Sequence, residues 1–516
     1  MTQKKHLLTI LLLAIICLNA RANNGTEQTE GGHTLTLTLG EVIRMAQENS
    51  PSAISARLNR ESAELSYKDY KANYLPSVTL SSNPYYSRSI NRITQPDGSY
   101  KYLEQNSLST DLSLSIQQNL SLTGGTFSIT SSLDRSDYFR EGQDKETSYS
   151  TNPIYIGYSQ SLFGVNSLKW DRRIQPIAYR EACKQYNETM ELVASNACNY
   201  FFNLASAQVN AEIAAFNYAN ADTLYRYAQG RYNIGTITEN EMLQLEIRKL
   251  DAETNRINAQ FSVEDNMQAL RSFLALQDNV DIRVVMDDSV PHFIVPADEA
   301  LAMAYEHNPD PEYFKRARLE SDRSVANAKA NAGLRANIYL QFGLTQTGPD
   351  MESAYRDPIN SQAAQISLSL PILDWGRGKG RVKMARSNRE LNNMRIDQSE
   401  RDFEENVYRL VRQFNQQTAQ MNIVAKTDIT AERRLEVARH LYLTGKSTIL
   451  DLNSATTEKD SARRNRISAL RNYWSLYYTL RSLTGYDFEK GEEINYGPHP
   501  SLPQGEGVDT KRIRMK

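Results

Sequence analysis

The sequence predicts an α+β fold built from two internal repeats, each joining a short helix and alternating strands to a helical hairpin longer than a compact domain holds. Three observations predict it. The stretches YNIGTITENEML (232–243) and YLTGKSTILDLN (442–453) set Tyr232 and Tyr442, Gly235 and Gly445, and Glu241 and Asp451 at one common offset of 210 residues. An offset shared by three residue types marks a duplication. Long windows free of proline and nearly free of glycine flank both stretches, and segments of period-two alternation precede them.

The N-terminal MTQKKHLLTILLLAIICLNARA joins Lys4 and Lys5 to an apolar run from Leu7 to Leu18 and to Ala20-Arg21-Ala22, the layout of a secretory signal over residues 1–22. The chain is expected to leave the cytoplasm. Ile16 before Cys17 is bulky where lipidation signals want a small residue, so a lipid anchor is the minor option. Behind the signal only Cys183 and Cys198 remain. On one helix they would lie roughly 22 Å apart, too far for a disulfide. A formal net charge of −2 with 23% charged residues indicates neither a nucleic-acid surface nor a strongly acidic chain, and no nucleic acid is expected as a partner. No mature segment supplies the roughly 18 apolar residues of a crossing helix, so any membrane crossing must be by strands.

From Ile177 to Val290 there is no proline and the only glycines are Gly230 and Gly235; from Arg381 to Thr484 there is no proline and the only glycine is Gly445. Each window reads as a helical hairpin bent at glycine. The rising arms, 166–233 and 376–443, would each run roughly 100 Å as continuous helix. Tyr186, Met190, Val193, Ala197, Tyr200, Leu204, Ala207 and Ala211 step by four and three, and Phe403, Val407, Leu410, Phe414, Met421 and Val424 follow a similar rule. This is coiled-coil spacing; a bundle helix shares the spacing but not the length.

The short helices repeat as well. LTLGEVIRMAQENSP (37–51) matches VPADEALAMAYEHNP (295–309), pairing Glu41 with Glu299, Ala46 with Ala304 and Pro51 with Pro309. That offset exceeds the tip offset by about 48 residues, so the first repeat carries an insertion. The intervening segments alternate: in NIYLQFGLTQ, Ile338, Leu340, Phe342 and Leu344 share one face and Tyr339, Gln341 and Thr345 the other, and in QISLSLPIL, Ile366, Leu368 and Leu370 oppose Ser367 and Ser369. The first repeat offers four such stretches, near 77–87, 107–121, 126–133 and 154–162. A barrel with lipid outside and water inside demands this pattern, and a soluble sandwich shares it. So few strands beside such long hairpins need oligomerisation to close the sheet.

Together these features resemble the TolC family of bacterial outer-membrane efflux proteins. The resemblance rests on the paired short-helix segments, on SLPILDWGRGKGR (369–381) with its degenerate partner SLFGVNSLKWDRR (161–173), and on the two Tyr-x-x-Gly bends, and it spans nearly all of the mature chain. It implies a homotrimer in the cell outer membrane: a trimeric β-barrel continuous with a long periplasmic α-helical coiled-coil barrel. It also implies the role of exit duct in a tripartite efflux or type I secretion system, with a periplasmic adaptor (membrane fusion) protein and an inner-membrane pump as partners and outer-membrane lipid around the barrel. By the same resemblance Asp451 lines the pore constriction with Glu241 as its first-repeat counterpart, and Tyr232, Gly235, Thr236, Tyr442, Gly445 and Lys446 form the tip turns and adaptor contacts. The rival reading places each acid in the first turn of the descending helix, where it favours the helix dipole. Where some relatives carry an arginine and a second aspartate near the second tip, this chain has Ser447 and Ser454, so its closing lock is expected to be looser or built from other residues, such as Tyr442 with Glu241.

The expected layout is a signal peptide (1–22), a flexible segment (23–34), a first repeat (35–277, strands within 77–162, hairpin 166–277), an equatorial connector (278–296), a second repeat (297–486, strands within 337–373, hairpin 376–486) and a flexible periplasmic tail (487–516). Family members usually have two strands per half, so the insertion either widens the barrel from twelve strands to eighteen or folds over one end; widening is the expectation. Gly376, Gly378 and Gly380 follow a strand and open a helix as phosphate loops do, but their spacing fits no phosphate-binding motif. A strand-to-helix hinge at Asp374, Trp375 and Gly376 is expected instead. His6, His33, His292, His307, His440 and His499 show no metal-ligand spacing, and no G-x-S-x-G or H-E-x-x-H occurs, so neither enzyme activity, cofactor nor metal is expected. A periplasmic adaptor or a structural coiled-coil envelope protein without a pore would share the helices.

Overall fold

A computed structural model of the protein describes residues 34–140, 144–276, 280–287, 289–444, 446–447 and 449–497. The expected signal peptide, residues 498–516 of the expected tail, and Gly445 lie outside these, as does the side chain of Tyr442. The chain begins with β1 (Thr34–Leu37), α1 (Leu39–Asn49) and α2 (Pro51–Ala72). Ser50 starts α2 by accepting the Ala53 N–H at 3.2 Å, and Pro51 fills the first helical position, where no N–H is needed. Five strands follow: β2 (Ser77–Ser82), β3 (Tyr85–Thr94), β4 (Tyr100–Leu120), β5 (Gly125–Arg140) and β6 (Glu146–Ser161). Next come α3 (Ser167–Asn233), α4 (Glu239–Leu274) and β7 (Asp281–Val284). The second repeat holds α5 (Ala297–His307), α6 (Asp310–Ala332), β8 (Arg335–Gly348), α7 (Met351–Tyr355), β9 (Ile359–Ser369), α8 (Arg377–Leu443) and α9 (Ile449–Thr484), before β10 (Tyr486–Asp487) and β11 (Glu492–Glu493). Both α3 and α8 have 67 residues, and both α4 and α9 have 36, so the duplication extends to helix length. No helix among the described residues is long and apolar enough to cross a membrane.

The described chain divides into two units. In the first, residues 34–42 and 203–287, β1 and β7 pair in parallel from Thr34 opposite Asp281 to Leu37 opposite Val284. The Gln208 side chain donates to the Ile282 carbonyl at 3.1 Å and accepts the Val284 N–H at 3.3 Å, satisfying backbone groups along β7. Leu37, Val42, Leu204, Leu270, Leu274 and Ile282 form the buried core here. On the helix pair, Asp222 of α3 takes Lys249 of α4 at 2.7 Å.

The second unit, residues 43–202 and 288–497, contains the large sheet and the second hairpin. Of the seam residues read from the sequence, Tyr186, Met190, Val193, Ala197, Phe403, Val407, Leu410, Phe414 and Met421 are buried, as are Leu204 and Ala207, whereas Tyr200, Ala211 and Val424 are half-buried. Phe414 of α8 packs on Tyr473 of α9 with ring centroids 5.4 Å apart. Asn415 pairs with the backbone of Val295, donating and accepting at 3.0 Å, and so ties the connector to α8.

The sheet runs β2-β4-β5-β6-β8-β9, with β3 also on β4, and is antiparallel throughout. β2 and β3 share one edge of β4 in unbroken register, Ser82 opposite Leu112 and Tyr85 opposite Ser109. The break between them holds Pro84, which lacks an N–H and is tolerated at an edge. The sheet therefore has six strand positions, four from the first repeat and two from the second, and the insertion widens it. Val78, Ile116, Ile129, Ile156 and Phe342 line up across five strands on one face, and Ser77, Gln117, Ser128, Gly157 and Gln341 in the next row face the other way. In a single chain Val78 and Phe342 remain 65% and 55% exposed. An apolar row left open beside a row of small polar residues is what lipid on one side and water on the other require.

The chain expected to be a flexible tail from residue 487 is instead packed as far as Gly497. Asp487 is 1% exposed, the Ile494 N–H donates to the Gly485 carbonyl at 2.9 Å, and the Tyr496 hydroxyl donates to Glu191 at 2.5 Å. Composition suggests disorder here, but long-range polar contacts order it.

Candidate functional site

At the first tip α3 ends in a closed turn. Gly235 adopts φ +73°, its N–H reaches the Tyr232 carbonyl at 2.8 Å, and the Thr236 N–H reaches the Arg231 carbonyl at 2.9 Å. This pair of bonds is the Schellman arrangement, which needs a left-handed residue at the position Gly235 holds. Thr238 then caps α4. Its hydroxyl accepts the Glu241 N–H at 3.2 Å, while Glu241 Oε2 accepts the Thr238 N–H at 2.9 Å. The Glu241 carboxylate is thus part of a capping box in the first turn of α4.

The second tip shares one of these two bonds. The Lys446 N–H donates to the Leu441 carbonyl at 2.9 Å, the bond that corresponds, 210 residues on, to that of Thr236. Asp451 lies in the first turn of α9, exposed, and accepts a hydrogen bond from the Ser447 hydroxyl at 3.0 Å. Ser447, noted in the sequence as a departure from relatives, therefore donates to the acid. The structure places Tyr232, Gly235, Thr236 and Glu241 together at one tip and Lys446 with Asp451 at the other. What the sequence also carried is the Thr238-x-x-Glu241 signature of a capped helix start. Thr238→Ala should destabilise this helix start by about 1 kcal/mol. Faster hydrogen exchange at Glu239–Met242 with unchanged exchange deeper in α4 is the expected readout.

The strand-to-helix junction is built by Asp374. Its carboxylate accepts the N–H of Gly376 at 2.9 Å and of Gly378 at 2.7 Å, closing the start of α8. Trp375 and Gly376 take φ +56° and +82°, and the indole is 89% exposed. A left-handed tryptophan is strained, so the reversal at this point is imposed by its neighbours. In the first repeat Asn166 has the matching job, accepting the Lys169 N–H at 3.0 Å and donating to the Ser121 carbonyl at 2.9 Å. Asn166 and Asp374 hold the same sixth place in SLFGVNSLKWDRR and SLPILDWGRGKGR, so the paired segments carry the equivalence.

The Gly378 N–H first, and that of Gly376 second, hold the Asp374 carboxyl below its ordinary range. A depressed carboxylate stabilises the fold above its unfolded pKa, about 3.9, and that contribution is lost as pH falls through the folded value. Acidification below about pH 4 should therefore fray the first turn of α8 before its interior. Asp374→Asn should remove this acid-dependent step, observed as amide exchange at 376–380 that no longer changes with pH relative to the rest of α8.

A family model described as Outer membrane efflux protein matches residues 118–276 and 303–486. Outer membrane protein TolC of Salmonella enteritidis is 21% identical over 345 residues, covering 63% of this chain and 68% of that protein. Among solved structures, the Campylobacter jejuni CmeC outer membrane channel superimposes with a TM-score of 0.62 at 16% identity, covering 91% of this chain and 92% of that one. The open state of the Neisseria gonorrhoeae MtrE outer membrane channel gives 0.57 at 17%, covering 87% and 89%. At these identities the structural likenesses establish a shared fold.

Proposed function

Because the chain belongs to the outer membrane efflux protein family, we propose that it is the exit duct of a tripartite efflux or type I secretion assembly, closed as a homotrimer and gated at its periplasmic helix tips. Its work is transport across the outer membrane rather than catalysis. The observation that carries the reading is the sheet: one apolar face, one small polar face, and an edge at each end, β2 with β3 on one side and β9 on the other. An amphipathic sheet with two open edges cannot stand in lipid alone, because unpaired backbone groups there are costly. Three copies joined edge to edge would close a barrel of three times six, or eighteen, strand positions.

The tips serve the gate on this reading. In a trimer Asp451 occurs three times around a water-filled axis, which favours cations and allows control by protonation or metal ions. Glu241 would contribute a second ring, weakened by its service as a helix cap. Exposed tip residues, Tyr232, Gly235, Thr236 and Lys446, would meet the periplasmic adaptor, and through it the inner-membrane pump. Tyr442 and Gly445 belong to the same proposed contact by sequence position. The test is reconstitution of detergent-purified protein in a planar bilayer, beside gel migration before and after heating. A heat-labile trimer with small cation-selective conductance is expected. Correctly folded protein that stays monomeric and never conducts would overturn the reading and favour a structural or adaptor role.

A further inference from the structure

We propose that Glu306, His307 and Glu493 form a site for a divalent first-row transition ion, with Zn²⁺ as the test case, which fastens the C-terminal strand pair to α5. Each residue offers one ligand atom, and these atoms all lie within 4.8 Å of one another. His307 Nε2 stands 3.9 Å from Glu493 Oε1, beyond hydrogen-bond reach, and is buried without any hydrogen-bond partner. Buried polar nitrogens are nearly always paired, so this one calls for a partner. A lone pair facing two carboxylates is suited to a cation.

Both sides of the site are held by the fold. Glu306 and His307 are the last two residues of α5, and Asn308 beyond them donates to the Leu483 carbonyl at 3.0 Å. Gly485 follows α9 with φ +61°, and a Cβ there would meet the His307 Cβ at 2.4 Å, so only glycine lets the two segments approach this closely. Tyr486 pairs with Glu493 across β10 and β11, which sets Glu493 beside the imidazole. The ligands are thus presented from two separate elements without an ion to gather them.

The donor set selects the class of ion. One imidazole nitrogen with two carboxylate oxygens is a mixed nitrogen and oxygen donor set of the kind Zn²⁺ takes, whereas Mg²⁺ and Ca²⁺ prefer oxygen alone. Two carboxylates also neutralise a doubly charged ion. The competing account is a simple ion pair between a protonated His307 and Glu493, which needs no metal.

The test uses untagged, full-length mature protein in detergent, freed of metal by chelation and titrated with Zn²⁺ or Mg²⁺ by calorimetry and thermal unfolding. One Zn²⁺ per chain is expected, with a raised unfolding temperature and slower amide exchange at 486–497, and no response to Mg²⁺ at the same concentration. His307→Ala should weaken Zn²⁺ binding at least about tenfold. Since the imidazole is partly buried, Glu493→Gln provides a second variant at an exposed position; it should lower affinity while leaving the metal-free unfolding temperature unchanged. Absence of Zn²⁺ uptake by folded wild-type protein, or equal uptake by both variants, would overturn the proposal in favour of the ion pair.

Discussion

Arg481→Met should cost the protein about 3–5 kcal/mol, the usual penalty for removing one member of a buried ionic network. Arg481 on α9 holds Glu191 of α3 through two bonds of 2.9 Å, and reaches Asp487 at 2.7 Å and the Tyr477 hydroxyl at 3.2 Å. Burial alone would lower the guanidinium pKa, but Glu191 outweighs it and leaves it raised. Glu191 and Asp487 are each 1% exposed, so without the arginine two carboxylates are left without their cation and away from water. The urea midpoint of the variant should fall sharply, and Glu191→Met added to Arg481→Met should recover part of the loss by removing one stranded charge. A single variant as stable as wild type would show that water enters this region and that the network is not a clamp.

Asp451→Ala should strip most of the cation preference from the reconstituted duct. On the proposed trimer, three carboxylates at roughly 5 Å from a central ion would attract it by about 0.8 kcal/mol each at the dielectric of water. With screening, losing the ring should lower the ratio of cation to anion permeability on the order of tenfold. Asp451→Asn, which keeps an oxygen for the Ser447 hydroxyl, should behave like the alanine variant if charge is what matters. Glu241→Ala should change selectivity less and local helix stability more, since its carboxylate is bonded to Thr238. Reversal potentials under a salt gradient measure the ratio; wild-type selectivity in both Asp451 variants would remove this acid from the constriction.

The long helices are readable because their limits are set by local chemistry. Arms expected at 166–233 and 376–443 are α3 and α8, Ser167–Asn233 and Arg377–Leu443, since proline, glycine and caps act within a turn. Alternation over 107–121 marks only the lower part of β4, which begins at Tyr100. From Leu108 toward Tyr100 the apolar positions give way to Asn106, Glu104, Tyr102 and Tyr100, which leaves no apolar period to detect. The capping role of Glu241 is written in four consecutive residues and is as legible as the glycine beside it. The packed segment after Asp487 and the approach of Glu493 to His307 are not, because both depend on residues far away in sequence.

The length of β4 has a consequence for the cell's exterior. Its 21 residues are about twice what a barrel strand needs to cross a bilayer. The long helices leave from the end of the sheet where β6 and β9 finish, toward the periplasm, so the surplus at the β3–β4 end stands on the far side. There Arg88 pairs with Glu104, Arg92 lies over the Tyr100 ring at 4.5 Å, and Gly98 turns the chain. In the proposed duct this end stands above the outer leaflet as a signpost: a short epitope spliced beside Gly98 should be seen by antibody on intact cells, with passage through the duct below undisturbed.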